Sequence, residues 1–261
     1  MRRRRRKRRW LLVIAALLLC LVGIGGVVWL SHAPFLRITA VEVLDASSVA
    51  TSTIASYVEQ EISGAYLFAF ARSNIFLYPR QGIAQGLLQR YPAFRAVEVR
   101  AKDFHTITVK VAERKPVALW CGNAPQTAGS CLFLDEESYA YAPAPTFSSG
   151  VYTSYYGALS SSTPPVYLQT AQFQSLAALV VTLLQKKSTD TVVSVAVDEH
   201  DDVRVRFGSG FTLLFPITDN GGDVFERFSL ALTAAPFAGK ALTDFEYLDL
   251  RFGDKLYYKQ R

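Results

Sequence analysis

Cysteine, histidine and methionine are scarce in this 261-residue chain, which contains three cysteines, three histidines and one methionine. Three cysteines are too few for the disulfide framework of a small secreted domain. Hydrophobic residues make up 50% of the chain and charged residues 19%, which is typical of a folded protein and too apolar for a disordered one. The length is sufficient for one or two domains with ordinary hydrophobic cores.

The histidines give little support for catalysis. They are His32, His105 and His200, which lie in three different segments, and no GxSxG motif accompanies any of them. A nucleophilic triad needs serine or cysteine within hydrogen-bond reach of a histidine that a carboxylate orients. We therefore expect no enzymatic activity and no cofactor.

Only one histidine, His200, lies among acidic residues, in the run from Asp198 to Asp202. This run has carboxylates for a divalent cation, but it lacks the glycine and the distal glutamate of an EF-hand loop. Cys121 and Cys131 do not make a zinc site, because a structural site needs four ligands. We interpret the acidic run as a solvated turn and predict no metal site.

Positive charge is concentrated at the start of the chain. Residues 2–9 are all Arg or Lys, and removing their eight charges from the net charge of +6 leaves −2 for residues 10–261. The rest of the chain therefore has no electrostatic footprint for nucleic acid. The basic tail of residues 1–9 is expected to attract anionic membrane lipid, and a specific cytoplasmic partner is the alternative.

An uncharged run at 10–30 follows the basic tail. Its length matches a hydrocarbon layer of about 30 Å, which predicts a transmembrane helix. Basic residues before it and none directly after it favour a cytoplasmic N-terminus and an extracytoplasmic remainder, as in a single-pass type II protein of the cell membrane. A cleaved signal peptide is the alternative, because residues 31–33 resemble a cleavage site, although the apolar run is long for that role.

The cysteines divide between the span and the exported part. Cys20 lies in the apolar run and is interpreted as a small apolar residue. Cys121 and Cys131 lie where disulfides persist, at the two ends of a turn-rich segment. Both a disulfide and a pair of reduced thiols remain open for them.

The exported part is predicted to begin with a β-α-α-β-β unit at 35–114. Ile54, Val58 and Ile62 recur every four residues, as on one face of a helix. The predicted elements are a strand at 35–44, a helix at 47–63, a helix opening at Pro79, and strands at 96–102 and 106–114. Lys115–Pro116 is the expected domain boundary, since the residue before proline favours an extended conformation.

Residues 115–261 are predicted to form a β-rich domain, so that the fold class is α+β with a mainly antiparallel sheet and flanking helices. The Ser-, Pro- and Tyr-rich segment at 143–165 has no apolar period and is interpreted as a flexible surface loop. The predicted elements are a hairpin at 117–121 and 131–135, a helix at 171–187, a three-stranded meander, a helix at 223–235 and a terminal strand at 245–259.

The terminal strand is the candidate binding site. Alternation places Leu248, Leu250 and Phe252 in the core. The expected partner-binding side chains are Phe245, Tyr247, Asp249, Arg251 and Tyr257. A strand at the end of a chain often lies at a sheet edge, where a partner strand extends the ladder. The alternative is that Tyr247 packs within its own domain.

Three segments in this order resemble the FtsQ/DivIB family of bacterial cell-division proteins. They are VEV at 41–43, TITVKVAERKPVALW at 106–120 and YLDLRFGDKLYYK at 247–259. The resemblance implies a POTRA domain at 35–114, a β domain at 115–261 and a non-catalytic scaffold of the divisome at the division septum. The implied partners are FtsB/DivIC-like and FtsL-like coiled-coil proteins and the septal peptidoglycan synthase complex.

Two other functions stay open from the sequence. One is a membrane-anchored extracytoplasmic enzyme, and the other is a POTRA-type chaperone or assembly factor, which would be expected to carry a β-barrel or several POTRA units. The Cys121/Cys131 pair and the segment at 143–165 depart from what the resemblance implies. These departures concern the loops of the β domain rather than its fold.

Overall fold

The computed structural model describes residues 2–125, 130–148, 150–186, 190–253 and 255–261. Its contacts divide the chain into two compact units, Met1–Glu113 and Arg114–Arg261. Across the described residues the fold mixes five α-helices with β-strands, and the largest sheet contains both parallel and antiparallel pairs.

The first unit begins with a long helix, α1, at Arg2–Ser31. Its apolar part, Trp10–Ser31, has 22 residues, and an 18-residue window within it has a mean hydropathy of 3.0. At ~1.5 Å per residue this part is about 33 Å long, close to the hydrocarbon thickness of a bilayer. By length and composition, α1 is therefore able to cross a membrane.

After α1, the first unit forms a three-stranded sheet with two helices. The elements are β1 (Ala40–Leu44), α2 (Thr51–Glu61), β2 (Ala65–Tyr66), β3 (Phe70–Ala71), α3 (Arg80–Arg90), β4 (Phe94–Ala101) and β5 (Thr106–Glu113). The order in the sheet is β1-β5-β4, with β1 parallel to β5 and β4 antiparallel to it. The strand expected at 35–44 begins only at Ala40, because Pro34–Leu36 form a 3₁₀ turn.

The core of the first unit lies between the two helices and the sheet. Ile54 and Val58 of α2 and Ile83 and Leu87 of α3 are fully buried. They form one apolar cluster with the inward side chains of the strands, among them Phe94, Val99, Ile107, Val109 and Val111. The four-residue spacing on α2 therefore marks the face that the helix buries.

A carboxylate at the end of β5 holds the loop between β1 and α2. The side chain of Glu113 accepts hydrogen bonds from the backbone N–H groups of Ser47 and Ser48, each 2.7 Å long, and from both serine hydroxyls. Burial raises the pKa of Glu113, but these four donors outweigh it and lower the pKa to about 2.

The second unit is built on a nine-stranded sheet. Its elements are β6 (Ala118–Trp120), β7 (Leu132–Leu134), β8 (Ala140–Pro143), β9 (Ser154–Tyr156), α4 (Thr170–Lys186), β10 (Val192–Val197), β11 (Asp202–Phe207), β12 (Thr212–Pro216), α5 (Gly221–Thr233), β13 (Phe245–Phe252) and β14 (Lys255–Gln260). The strand order is β14-β13-β12-β11-β10-β9-β6-β7-β8. The pairs β12–β13, β9–β10 and β6–β9 are parallel and the others are antiparallel.

The sequence predicted a flexible surface loop at 143–165, but part of this segment belongs to the sheet. Its residues Ser154–Tyr156 form β9, an interior strand that joins β6 to β10. Tyr155 is only 2% exposed, and its ring lies 5.4 Å from that of Phe173 in α4. A strand of three residues is too short to show a period in the sequence, which explains why the pattern did not reveal it.

A disulfide joins Cys121 and Cys131, whose Cα atoms are 4.2 Å apart. The two cysteines directly follow β6 and directly precede β7, which pair in antiparallel fashion. The disulfide therefore closes the base of the loop that connects these two strands, and residues 126–129 of the loop lie outside the described residues.

Helices α4 and α5 contribute to one core with the sheet. Phe173 and Leu183 of α4 and Val224 and Phe228 of α5 are among its buried residues. The ring of Phe228 lies 6.3 Å from that of Phe207 in β11. Both helices thus pack on the sheet through apolar contacts.

We predict that Tyr155→Ala destabilises the protein by about 3–5 kcal/mol, because it removes a buried aromatic ring and leaves a cavity. Urea unfolding of the full-length protein in detergent micelles, followed by tryptophan fluorescence, measures the effect. The matched control is Val151→Ala in the same segment, where the side chain is 56% exposed and a change below about 0.5 kcal/mol is expected. Equal effects for the two variants would contradict the structural role of β9.

We also predict that Glu113→Gln makes the stability of the protein less dependent on pH. Because folding lowers the pKa of Glu113, its contribution is complete above the ordinary value of 4.5 and is lost as the pH falls toward about 2. Thermal unfolding between pH 7 and pH 3 should show a steeper loss for the unmodified protein than for the variant. Glu59→Gln, at an exposed position of α2, should behave like the unmodified protein.

Candidate functional site

The end of the chain is a β-hairpin at one end of the nine-stranded sheet. β13 pairs with β12 on one side and with β14 on the other, so β14 is the edge strand. The sequence predicted a single terminal strand at 245–259 with an exposed edge. The structure corrects this prediction, since the segment is two strands and the first of them is interior.

A tight turn separates the two strands. Phe252 pairs with Lys255 across it, and Gly253 has a φ of +62°. Hairpin turns with positive φ favour glycine, because it has no Cβ. The glycine in the FGDK sequence thus marks the turn, although its neighbour Asp254 lies outside the described residues.

Phe245 belongs to the core rather than to a binding face. It is fully buried, and its ring stacks on that of Phe237 at a centroid distance of 4.1 Å. The pairing register shifts between Phe245 and Tyr247, which breaks simple alternation and turns Phe245 inward. Leu248 and Leu250 are buried, as predicted.

Phe252 shows the opposite correction, because the predicted core residue is 55% exposed. A second shift in register lies between Asp249 and Phe252. The ring of Phe252 contacts that of Tyr257 across the hairpin, with the centroids 5.0 Å apart. The two aromatic side chains form an exposed pair at the turn end.

Asp249 and Arg251 stabilise the sheet. Asp249 is 5% exposed, and Arg251 donates to both of its carboxylate oxygens and to Asp202 of β11. Burial raises the pKa of Asp249, but the hydrogen bonds and the charge of Arg251 outweigh it and lower the pKa below its ordinary value. Asp249 is therefore unsuited to the partner contact that the sequence suggested, since its side chain is already buried and paired.

Tyr247 lies one strand away from the edge. Its backbone is opposite Thr212 of β12 on one side and Lys259 of β14 on the other, and its side chain is half-buried. Its backbone is therefore enclosed by two neighbouring strands and offers nothing to a third strand. Any contact that it makes with a partner is through its side chain.

The edge strand β14 is exposed along its whole length. Leu256, Tyr257 and Tyr258 are 43%, 50% and 43% exposed, and they are consecutive. Tyr257 was predicted as a binding residue, whereas Leu256 and Tyr258 were not. Because an edge strand pairs on one side only, alternate N–H and C=O groups of β14 point away from β13.

The two edges of this sheet differ in how they are covered. β8, at the other end, has four residues and ends with Pro143, and the N–H of its Ala140 donates to Pro165 O. A short edge strand with proline and a covering segment is protected against pairing. Among the described residues, none pairs with the outer side of β14.

Lysines are the only charged side chains on the edge strand itself, which is also a common form of edge protection. Lys259 is held by Glu246 of β13 at 2.8 Å, so its charge is partly compensated by the neighbouring strand. The three consecutive apolar residues remain between Lys255 and Lys259. Lysine side chains thus protect the two ends of β14 against pairing with another strand, whereas its central residues lack such protection.

Arg227 of α5 braces the hairpin, a role for which the sequence contains no signal. Its guanidinium donates to Leu250 O at 3.2 Å and pairs with Asp219. Arginine at a helical position resembles any solvated surface residue, because its partners are backbone oxygens that only the fold brings near. The brace fixes the end of β13 from which β14 turns back.

The acidic run forms the turn between β10 and β11. Asp198 accepts hydrogen bonds from the N–H groups of His200 and Asp202 and pairs with Arg204. Burial raises the pKa of Asp198, but these partners outweigh it and lower the pKa. Within the described ranges, no group of three or more potential metal ligands occurs.

Comparisons with known proteins add no assignment to this geometry. No protein-family model matches the chain, and no similar protein was found among curated proteins. The chemistry that the hairpin offers is therefore the basis for a functional proposal.

We predict that Asp249 and Tyr257 differ in what they contribute to stability. Asp249→Asn removes a charged acceptor of Arg251 and should lower the free energy of unfolding by about 1.5–3 kcal/mol. Tyr257→Ala removes an exposed cross-strand contact and should cost less than about 1 kcal/mol. Urea unfolding of both full-length variants in micelles measures these values. A larger loss for Tyr257→Ala would place that residue in the core and not on a free edge.

Proposed function

We propose that this protein is a membrane-anchored scaffold of bacterial cell division, similar to the FtsQ/DivIB family, and that it binds partners by strand addition at β14. The observation that carries the proposal is the uncovered edge of β14 with its three exposed apolar residues. The other edge of the same sheet ends with Pro143 and is bonded to residue 165. The contrast singles out β14 for partner binding.

Strand addition suits the chemistry of this edge. A partner strand hydrogen-bonds to the outward N–H and C=O groups of β14, which supplies affinity without requiring a particular sequence. Side chains on alternate positions then supply specificity. Tyr257 and Leu256 project from successive positions and therefore contact opposite faces of an added strand. Exposed tyrosine is a common anchor of interfaces.

The proposed partners follow from the resemblance in sequence. They are FtsB/DivIC-like and FtsL-like single-span proteins with coiled coils, and the septal peptidoglycan synthase complex further along. The first unit supports the same proposal, because its order, β-α-α-β-β with the short β2–β3 hairpin between the two helices, and its β1-β5-β4 sheet suit a POTRA domain. In this proposal the POTRA domain and the edge of the β domain are separate protein-binding surfaces.

The proposed location is the cell membrane at the division septum. The basic residues 2–9 stay in the cytoplasm, α1 crosses the membrane, and the chain beyond residue 31 is extracytoplasmic. The disulfide between Cys121 and Cys131 supports this orientation, since disulfides persist in oxidising compartments. The proposal assigns the protein no catalytic step, because binding alone accounts for the exposed edge.

We predict that a photo-reactive phenylalanine analogue at Leu256 or Tyr257 crosslinks to a small single-span membrane protein in dividing cells. The same analogue at Val151, which is also exposed, is the matched control and should not crosslink to that protein. With the purified partner and full-length protein in micelles, Tyr257→Ala should weaken binding by about 1–3 kcal/mol, a typical interface value. Val151→Ala should leave binding unchanged.

Two results would contradict the proposal. One is crosslinking from Val151 but from neither edge position, which would move the interface away from β14. The other is full binding by Tyr257→Ala together with a change of less than twofold for Leu256→Ala, which would leave the edge without an anchor.

A further inference from the structure

Four large exposed apolar side chains lie in segments that follow the end of α1 or hydrogen-bond to it. They are Phe35, Leu67, Phe68 and Phe76, and the side chain of Phe68 is fully exposed. We call these four residues the apolar rim. Water-exposed apolar groups of this size in one region indicate a binding surface rather than scattered surface residues.

Two of the rim residues occupy a strained turn. Leu67 and Phe68 are the central residues between β2 and β3, in a turn closed by the N–H of Ala69 donating to Tyr66 O at 2.9 Å. Their φ values are +50° and +60°. Turns with positive φ at both positions normally carry Asn and Gly, and bulky side chains there are disfavoured. The turn thus retains two apolar residues against its own backbone preference, which points to a role for their side chains.

The same hairpin is attached to the end of α1. The ring Nε2 of His32 lies 2.9 Å from Ala69 O, and the side-chain amide of Asn74 donates to Ser31 O at 3.0 Å. Ala71 N–H donates to the hydroxyl of Ser31 at 3.4 Å. Since Leu67 is two residues from Ala69, the Cα atoms of these two residues are at most about 7.6 Å apart. Leu67 therefore lies close to the end of α1, where His32 contacts Ala69 O.

The end of α1 coincides with the expected surface of the membrane. Trp10 and Trp29 are 63% and 75% exposed and lie near the two ends of the apolar run. A helix rises about 28 Å between these positions, close to the hydrocarbon thickness, and tryptophan favours the two membrane interfaces. His32 follows Trp29 by less than one turn, so the hairpin bonded to it lies at the interfacial layer.

We propose that Leu67 and Phe68 insert into the lipid bilayer at its outer surface and form a second membrane contact beside α1. The occupant of this surface is lipid, because the rim continues an apolar surface that α1 already presents to lipid. The other two rim residues are close in sequence to residues at the end of α1. Phe35 follows Ser31 by four residues, and Phe76 follows Asn74 by two. The proposal rests on α1 spanning a membrane and does not depend on the role in cell division.

Two points of attachment restrict the first unit more than one does. A helix alone leaves the following unit free to swing about the residues that leave the membrane. Hydrogen bonds of β3, its preceding residue Ala69 and Asn74 hold the hairpin to Ser31 and His32. Insertion of the hairpin tip therefore fixes the tilt of this unit against the bilayer. The strained turn is then explained because it places the side chains of Leu67 and Phe68 at the depth of the lipid.

Fluorescence quenching in vesicles tests the insertion. The full-length protein is reconstituted in phosphatidylcholine/phosphatidylglycerol vesicles and labelled with an environment-sensitive dye at Phe68→Cys or at Leu44→Cys, each combined with Cys20→Ala. Leu44, which is 40% exposed, is the matched control because it lies at the end of β1 farther from α1. A third sample carries the dye at native Cys20 in α1. Cys121 and Cys131 are bonded and do not react.

We expect nitroxide lipids to quench the dye at Phe68 at least twofold more than the dye at Leu44, with strong quenching at Cys20. Strong quenching at Cys20 with equal, weak quenching at Phe68 and Leu44 overturns the insertion but leaves the membrane anchor. Absence of quenching at Cys20 overturns both the insertion and the anchor. Neither result depends on whether β14 binds a partner, so failure of the insertion is distinguishable from failure of the proposed interface.

A turn substitution gives a second, independent readout. Leu67→Asn with Phe68→Gly supplies the residues that the turn prefers, and it should raise the thermal stability of the full-length protein in micelles. With the dye at Ala69→Cys, the same substitution should reduce quenching by lipid at least twofold. Unchanged quenching at Ala69 with improved stability would show that the apolar pair has no contact with lipid.

Discussion

The parallel pairing of β13 with β12 determines where the chain ends in the sheet. Parallel neighbours cannot be joined by a tight turn, and here α5 and the residues after it make the crossover. β13 is thereby placed beside β12, and the hairpin turn at Gly253 leaves only the outer side of β13 for β14. The exposed edge is a consequence of this connectivity, and the buried face of β13 holds it in place.

Three charged side chains hold neighbouring segments of their own unit together. Glu113 fixes the loop before α2, Arg227 fixes the end of β13, and Arg251 links β13 to β11. Each of these side chains is paired with its own unit and is not free to act on a partner. The surfaces for which we propose binding, at β14 and around the end of α1, consist of exposed apolar residues instead.

Local pattern predicted the elements whose signal is local. The spacing of Ile54, Val58 and Ile62 predicted α2 and its buried face, and the apolar run predicted a helix able to cross a membrane. The strands β9, β2 and β3 were missed, because segments of two or three residues show no period. β9 pairs with β6 and β10, which lie far away in sequence, whereas among the described residues β2 and β3 pair only with each other.

The sequence predicted the segment that holds the candidate site, but not which of its side chains are buried and which are exposed. Alternation from Leu248 to Leu250 was correct, whereas Phe245 and Phe252 exchanged roles because two shifts in register interrupt the ladder. No sequence pattern predicts such shifts, since they result from packing against Phe237 and from the geometry of the turn. Which strand forms the edge also required the order of the whole sheet.

Hydrogen–deuterium exchange tests the central claim, partner binding at β14, most directly. The amides of residues 255–260 that point away from β13 should exchange fast in the free full-length protein and become protected in the complex with its membrane partner. The amides of β8, at the other edge, should be unchanged. A stable complex in which residues 255–260 exchange as fast as in the free protein would contradict the account.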